Sequence, residues 1–193
     1  MRIGWRPSVV ALLLAVAACS SIPVGMGERQ HGLDGLNDDL AGALLALDLP
    51  QVLEPVAGGT VLHLDITSAG SGERHVKAVL GTADPGDLAG LLPPPADGRS
   101  YYLFGLAPAD QQAVREAQAW ARSLPPDAAT LTLGLTPGLC RTDAIDMQKT
   151  LVSALVALPG SGRVAPLLGR VPLTTVLATA PIKDVPACAG HSG

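Results

Sequence analysis

His63, Asp65, His75 and Lys77 are the residues whose types and spacing could do chemistry in this chain. Residues 60–67 alternate, with Leu62, Leu64 and Ile66 on one side and Val61, His63 and Asp65 on the other. The turn residues Ser68, Ala69, Gly70, Ser71 and Gly72 follow, then a second alternating run over 73–81, and together these predict a β-hairpin. Pairing Thr67 with His75 sets Asp65 opposite Lys77 and His63 opposite Val79, so all four polar side chains share one face. Imidazole suits zinc or copper and a carboxylate can complete the set. His63, Asp65 and His75 are therefore the candidate metal ligands. Lys77 among them repels a cation, and an Asp65 to Lys77 cross-strand pair on a solvated face is the competing expectation. The set depends on register, since a slip of one residue turns one strand's polar residues to the other face.

No other group of residues makes a comparable case. Asp143 and Asp146 lie in a loop over 137–148 and could suggest paired carboxylates, but nothing near them in sequence supplies a nucleophile. Gly70-Ser71-Gly72 lacks the outer glycines of a nucleophile elbow and sits in a turn. Phosphate-loop, HExxH and dinucleotide-binding glycine patterns are missing from the sequence. The sequence thus supplies no catalytic set and implies no cofactor, and an enzyme is the less favoured expectation.

The beginning of the chain carries an address. Arg2 and Arg6 precede an unbroken apolar run over 9–18, which ends on small residues and Cys19. This is the layout of an export signal. About ten residues make a helix of roughly 15 Å, half of what a membrane span needs. The tetrad Val16-Ala17-Ala18-Cys19 resembles the lipobox of bacterial lipoproteins. The resemblance implies removal of residues 1–18, diacylglycerol on the Cys19 thiol, and further acylation of the new amine. Two or three acyl chains anchor stably where one would not. The residues after Cys19 show no apolar period, so 19–32 read as a lipidated tether and 33–193 as a periplasmic domain. Ser20, in place of the Asp that retains such proteins at the inner membrane, implies the outer membrane, on its periplasmic side. With Cys19 taken by lipid, Cys140 and Cys188 remain, and an exported compartment favours a disulfide between them.

Charge and composition narrow the partners. Losing Arg2 and Arg6 with the leader leaves 11 basic against 17 acidic side chains. No Lys/Arg cluster stands out, so nucleic acid is not an expected partner. Beyond Trp5 the aromatics are Tyr101, Tyr102, Phe104 and Trp120, too few for a stacking surface. The expected partners are the membrane, through lipid on Cys19, and a protein of the cell envelope.

The remaining elements follow from periodicity. Leu36, Leu40, Ala43, Leu44 and Leu47 fall on one face of a helix, capped by Asp34 or Asn37 and stopped by Pro50. Residues 99–106 read as a strand. Pro108 opens a helix to 123 that buries Ala113, Val114, Ala117, Trp120 and Ala121 and turns Gln111, Arg115, Gln118 and Arg122 to water. Residues 130–136 read as a strand, so strand, helix and strand predict a right-handed crossover and a parallel pair. Residues 151–158 and 163–168 predict a second hairpin, and 171–178 a last strand or helical turn. The expected fold class is α+β: a single domain with a mixed sheet of about five or six strands and two main helices. The expected function is a non-catalytic binding or assembly accessory anchored at the outer membrane. The alternative is a metal-binding protein or metal-dependent periplasmic enzyme using His63, Asp65 and His75.

Overall fold

The structure, a computed structural model, describes residues 24–25, 33–84, 86, 90–126, 128–177 and 184–189. Cys19, the leader and most of the tether region lie outside the described residues. Among the described residues no helix is long and apolar enough to cross a membrane.

Strands dominate, and they form three sheets. The elements are β1 (Val24–Gly25), β2 (Leu44–Pro50), β3 (Leu53–Pro55), β4 (Val61–Ser68), β5 (Gly72–Val79), β6 (Gly81–Thr82) and β7 (Arg99–Gly105), then α1 (Pro108–Arg122). After the helix come β8 (Ala129–Thr136), β9 (Leu139–Arg141), β10 (Leu151–Leu158), β11 (Arg163–Pro172) and the five-residue α2 (Leu173–Leu177). The first sheet has the order β1-β8-β4-β5, the second β11-β10-β2-β7-β6, and β3 and β9 form a two-stranded ribbon. Every pairing between named strands is antiparallel.

This corrects the expected single mixed sheet with two main helices. Two substantial sheets share the strands, and α1 is the one helix longer than five residues among the described residues. The predicted parallel crossover is also overturned. β7 lies in the five-stranded sheet and β8 in the four-stranded one, so α1 carries the chain from one sheet to the other. The helix placed on the leucines between 36 and 47 does not form. Asp34 and Asp39 instead accept bonds from nearby backbone amides, Leu36 and Asn37 on the one and Gly42 on the other. Side-chain bonds of this kind compete with helix for the backbone. Leu44–Pro50 then extends as a central strand. Its sequence, LLALDLP, is apolar on both faces, which a strand between two neighbours tolerates as well as a helix does.

The two large sheets pack face to face over one core. Leu45, Leu47, Leu49, Phe104, Val152, Ala154 and Val156 supply one side, and Leu64, Ile66, Ala78, Leu131, Leu133 and Leu135 the other. A small void lies between Leu45, Phe104 and Val156 of the five-stranded sheet and Leu62 and Leu133 of the four-stranded one. The chain changes sheets at Leu80, which is buried and donates its amide to Thr60. Val114, Ala117 and Ala121 of α1 join the same core. Gln118, expected to face water, is 3% exposed and donates to the carbonyls of Gly35 and Asp38 at 2.8 and 2.9 Å. Trp120 is half-buried, with the Arg74 guanidinium 5.0 Å from the ring centroid.

The expected disulfide is present. Cys140 and Cys188 are bonded, at a sequence separation of 48. The bond fixes 184–189 beside β9, where Arg141 donates to Pro186, Cys188 donates to Arg141, and the Arg141 side chain donates to Val185.

Candidate functional site

The polar face of the β4–β5 hairpin forms as expected, in a register shifted by two residues. Thr67 pairs with Glu73, Asp65 with His75, and His63 with Lys77. The loop between the strands is Ala69, Gly70 and Ser71, with Gly70 and Gly72 at positive φ. A shift of two residues preserves which side chains share a face. β8 extends the face through Thr130, Thr132, Gly134 and Thr136.

Within this face the structure joins Asp65 to His75 and leaves His63 apart. His75 Nδ1 lies 2.6 Å from Asp65 Oδ1, and its Nε2 lies 3.2 Å from Glu73 Oε1. Hydrogen bonding to Asp65, then to Glu73, holds the His75 imidazole above its ordinary pKa. The expected Asp65 to Lys77 pair is replaced by this imidazole–carboxylate pair. His63 Nε2 is 3.4 Å from Thr136 Oγ1. Burial, then the Lys77 ammonium opposite, pushes His63 below its ordinary pKa. The two histidines thus carry opposite tendencies on one sheet, one toward the cation and one toward the neutral ring.

Among the described residues, the group whose metal-binding atoms lie within 4.8 Å of one another is Glu54, Cys140 and Cys188. Both sulfurs there are committed to the disulfide. Asp143 and Asp146 serve the backbone. Asp143 accepts from the Ala144 amide, and Asp146 accepts from Gln148 and pairs with exposed Lys149 at 3.2 Å.

A second polar group escaped sequence reasoning. Asp48, in the middle of an apolar strand, accepts from Arg99 Nε at 2.6 Å and from Ser153 Oγ at 2.8 Å. Arg99 donates further to the carbonyls of Asp48 and Leu151 at 2.7 and 3.0 Å. Arg170 approaches the same carboxylate at 3.9 Å. Burial alone would raise the Asp48 pKa, but the bonds from Arg99 and Ser153 and the two nearby guanidinium charges hold it below its ordinary value. The group ties β2, β7 and β10 together and borders Tyr101, whose own pKa is raised by burial and by the Asp48 charge. The signal available in sequence was one acidic residue inside LLALDLP.

The outward face of the five-stranded sheet continues from Asp48 into apolar rows. Register places Ala46, Leu103 and Leu155 in one row and Leu44, Ala157 and Gly105 in the next. Pro166 and Val164 extend these rows on β11. Leu44, Leu103 and Leu155 are half-buried, and Ala46 and Ala157 are buried beneath them. An open groove of about 540 Å³ adjoins these rows at Leu44 and Gly105 and passes Gly42, Ala57, Val79, Gly81 and Phe104, and none of the side chains lining it is charged.

A scan against protein-family models and searches of the curated proteins and of the solved structures return no match to this chain.

Proposed function

We propose that this chain is a lipid-anchored β-sandwich on the periplasmic side of the outer membrane, acting as a non-catalytic binding or assembly accessory for another envelope protein. The anchor rests on Val16, Ala17, Ala18 and Cys19 at the end of an export signal. The observation that carries the accessory role is the outward face of the five-stranded sheet. An antiparallel sheet with one face in the core ordinarily alternates apolar inward and polar outward. Here the rows through Ala46, Leu103, Leu155, Leu44 and Ala157 are apolar outward as well. A flat aliphatic surface with a charged group, Asp48, Arg99 and Arg170, at one margin has the make-up of a protein interface: an apolar centre with orienting charges at its edge.

A photo-crosslinking residue at Leu103 or Leu155 in living cells, followed by mass spectrometry, tests this reading. The expected result is one recurrent protein adduct, lost when Leu155→Arg is added to a chain that still folds. Crosslinks that scatter over abundant envelope proteins, unchanged by Leu155→Arg, would sink it. The anchor has a separate test, since Cys19→Ala should release the chain from membranes at high salt.

A further inference from the structure

The position of β1 limits how far the domain can stand from the bilayer. Val24 pairs with Leu133 and Gly25 with Thr132, inside the stretch read from sequence as tether. Cys19 is five residues before Val24, so an extended chain between them reaches at most about 18 Å. A lipid on Cys19 would therefore hold Val24, and the edge of β8 it pairs with, within about 18 Å of the membrane.

β1 runs antiparallel to β8, so the step from Gly25 back to Val24 points along β8 from Thr132 to Leu133, toward Thr136 where β8 ends. At that end of the sheet Val79, Val61 and Thr136 form the last row of the outward face. Val56 lies next to it, where its amide donates to the Gly138 carbonyl. Val56 at 42% and Val79 at 53% are the exposed large hydrophobic side chains among the described residues. Residues 55–61, 79–83 and 136–139, which build this end, contain no charged side chain. The charges of the hairpin, Asp65, Glu73, Arg74, His75 and Lys77, all lie further toward the opposite tip at Ala69, Gly70 and Ser71.

We infer that the Val56, Val61, Val79 and Thr136 end of the four-stranded sheet rests against the phospholipid surface and that the Ala69 to Ser71 tip points away from it. The inference rests on lipidation of Cys19. Uncharged backbone and valine side chains tolerate the interface, where burying a charge is costly. Lys77, one step inward on the same face, has the length to keep its ammonium among head groups while its stem covers apolar surface. This arrangement leaves the hairpin tip and the rest of the domain free for a partner.

The test uses the full lipidated protein in vesicles of phosphatidylethanolamine and phosphatidylglycerol carrying a quencher on their acyl chains near the head groups. An environment-sensitive fluorophore is attached to Val56→Cys, Val79→Cys or Ser71→Cys, with the Cys140 to Cys188 disulfide left oxidised so that it takes no label. Quenching several-fold greater at 56 and 79 than at 71 is expected. Equal quenching at the three positions, or greater quenching at 71, would overturn the orientation while leaving the anchor intact. The mass of the N-terminal peptide reports the anchor separately, and an unmodified Cys19 would remove the premise and overturn both readings. Hydrogen exchange on the unsubstituted chain guards against misfolded variants. Membrane binding should slow exchange around 79–82 and leave 69–72 unchanged, and the reverse pattern would overturn the proposal.

Discussion

Asp48 and Arg99 sit side by side across β2 and β7, 2.6 Å apart, with each side chain 11% exposed. A charge pair this deep is held in place by the bonds around it. Ser153 and two backbone carbonyls complete the set. Removing one partner strands the other, so Arg99→Met should destabilise the fold by about 3–5 kcal/mol, whereas the double change Asp48→Leu with Arg99→Met should cost far less. Urea unfolding of the parent and the two variants measures this. A single change that costs less than about 1 kcal/mol would mean that Arg170 or water replaces the lost partner.

The same carboxylate gives an acid response. Its folded pKa is depressed, so the unfolded chain binds the proton more readily. Its contribution to stability is fully present above the unfolded value of about 3.9 and is lost as pH falls through the lower folded value. Unfolding midpoints measured from pH 6 to pH 2 should therefore drop more for the parent than for the Asp48→Leu, Arg99→Met double variant.

His75 has the opposite sign. Its folded pKa is raised, so whatever it contributes is present below the unfolded value of about 6.5 and is lost as pH rises through the folded value. Its side chain is 55% exposed, and solvent screens the pair, so the readout is titration rather than stability. Proton NMR should show His75 titrating above the ordinary range and His63 below it. Asp65→Asn should bring His75 down. Lys77→Ala should bring His63 part of the way up, the remainder being burial.

The local elements were more legible than their assembly. Strict alternation located β4, β5 and β8, and Pro108 marked the start of α1, because these signals come from burial on one face. Register was off by two residues because the loop uses three residues, Ala69, Gly70 and Ser71, where five turn-forming residues stand in sequence. Leu36, Leu40, Ala43, Leu44 and Leu47 fit a helix by spacing alone. What defeats the helix is local, in the Asp34 and Asp39 turns, and distant, in the two neighbours that β2 finds in β7 and β10. Gln118 looked solvent-facing because no sequence pattern reveals that the Gly35 and Asp38 carbonyls need a donor. The Asp48 and Arg99 pair joins residues 51 apart in the chain, which periodicity cannot connect.

The disulfide should matter in proportion to the chain it closes. A loop of 48 residues corresponds to about 4 kcal/mol in the chain-entropy account. Cys140→Ser with Cys188→Ser should lower the melting temperature and expose 184–189 to protease before the sheets unfold. Unchanged protease resistance in that segment would show that the Arg141 bonds to Val185, Pro186 and Cys188 hold it unaided.

Gly59 and Gly138 approach closely where β4 begins and β8 ends. A Cβ on Gly138 would lie 2.6 Å from the Gly59 Cα and carbonyl oxygen, both backbone atoms that cannot swing aside. Gly138→Ala should therefore cost about 1–3 kcal/mol through forced backbone shifts. Gly169→Ala, where a Cβ meets nothing within 4 Å, is the matched control. Equal melting temperatures for the two variants would show that the strands separate easily at that point.

Zinc distinguishes the hairpin face from the group formed by Glu54, Cys140 and Cys188. On the hairpin face, Asp65 and Glu73 flank opposite nitrogens of His75, and His63 is turned to Thr136, so the ligands do not converge on one point. Protein zinc sites use at least three ligands around one ion. Zinc added to the oxidised domain should therefore leave the melting temperature unchanged, with and without His75→Ala. Glu54, Cys140 and Cys188 do converge, and reduction would free two thiols beside the carboxylate. Zinc should then stabilise the reduced domain, by about 2.7 kcal/mol at a hundredfold excess over its dissociation constant. Glu54→Gln should weaken that response. A zinc-dependent rise in the oxidised protein that His75→Ala abolishes would instead make His63, Asp65 and His75 the ligands.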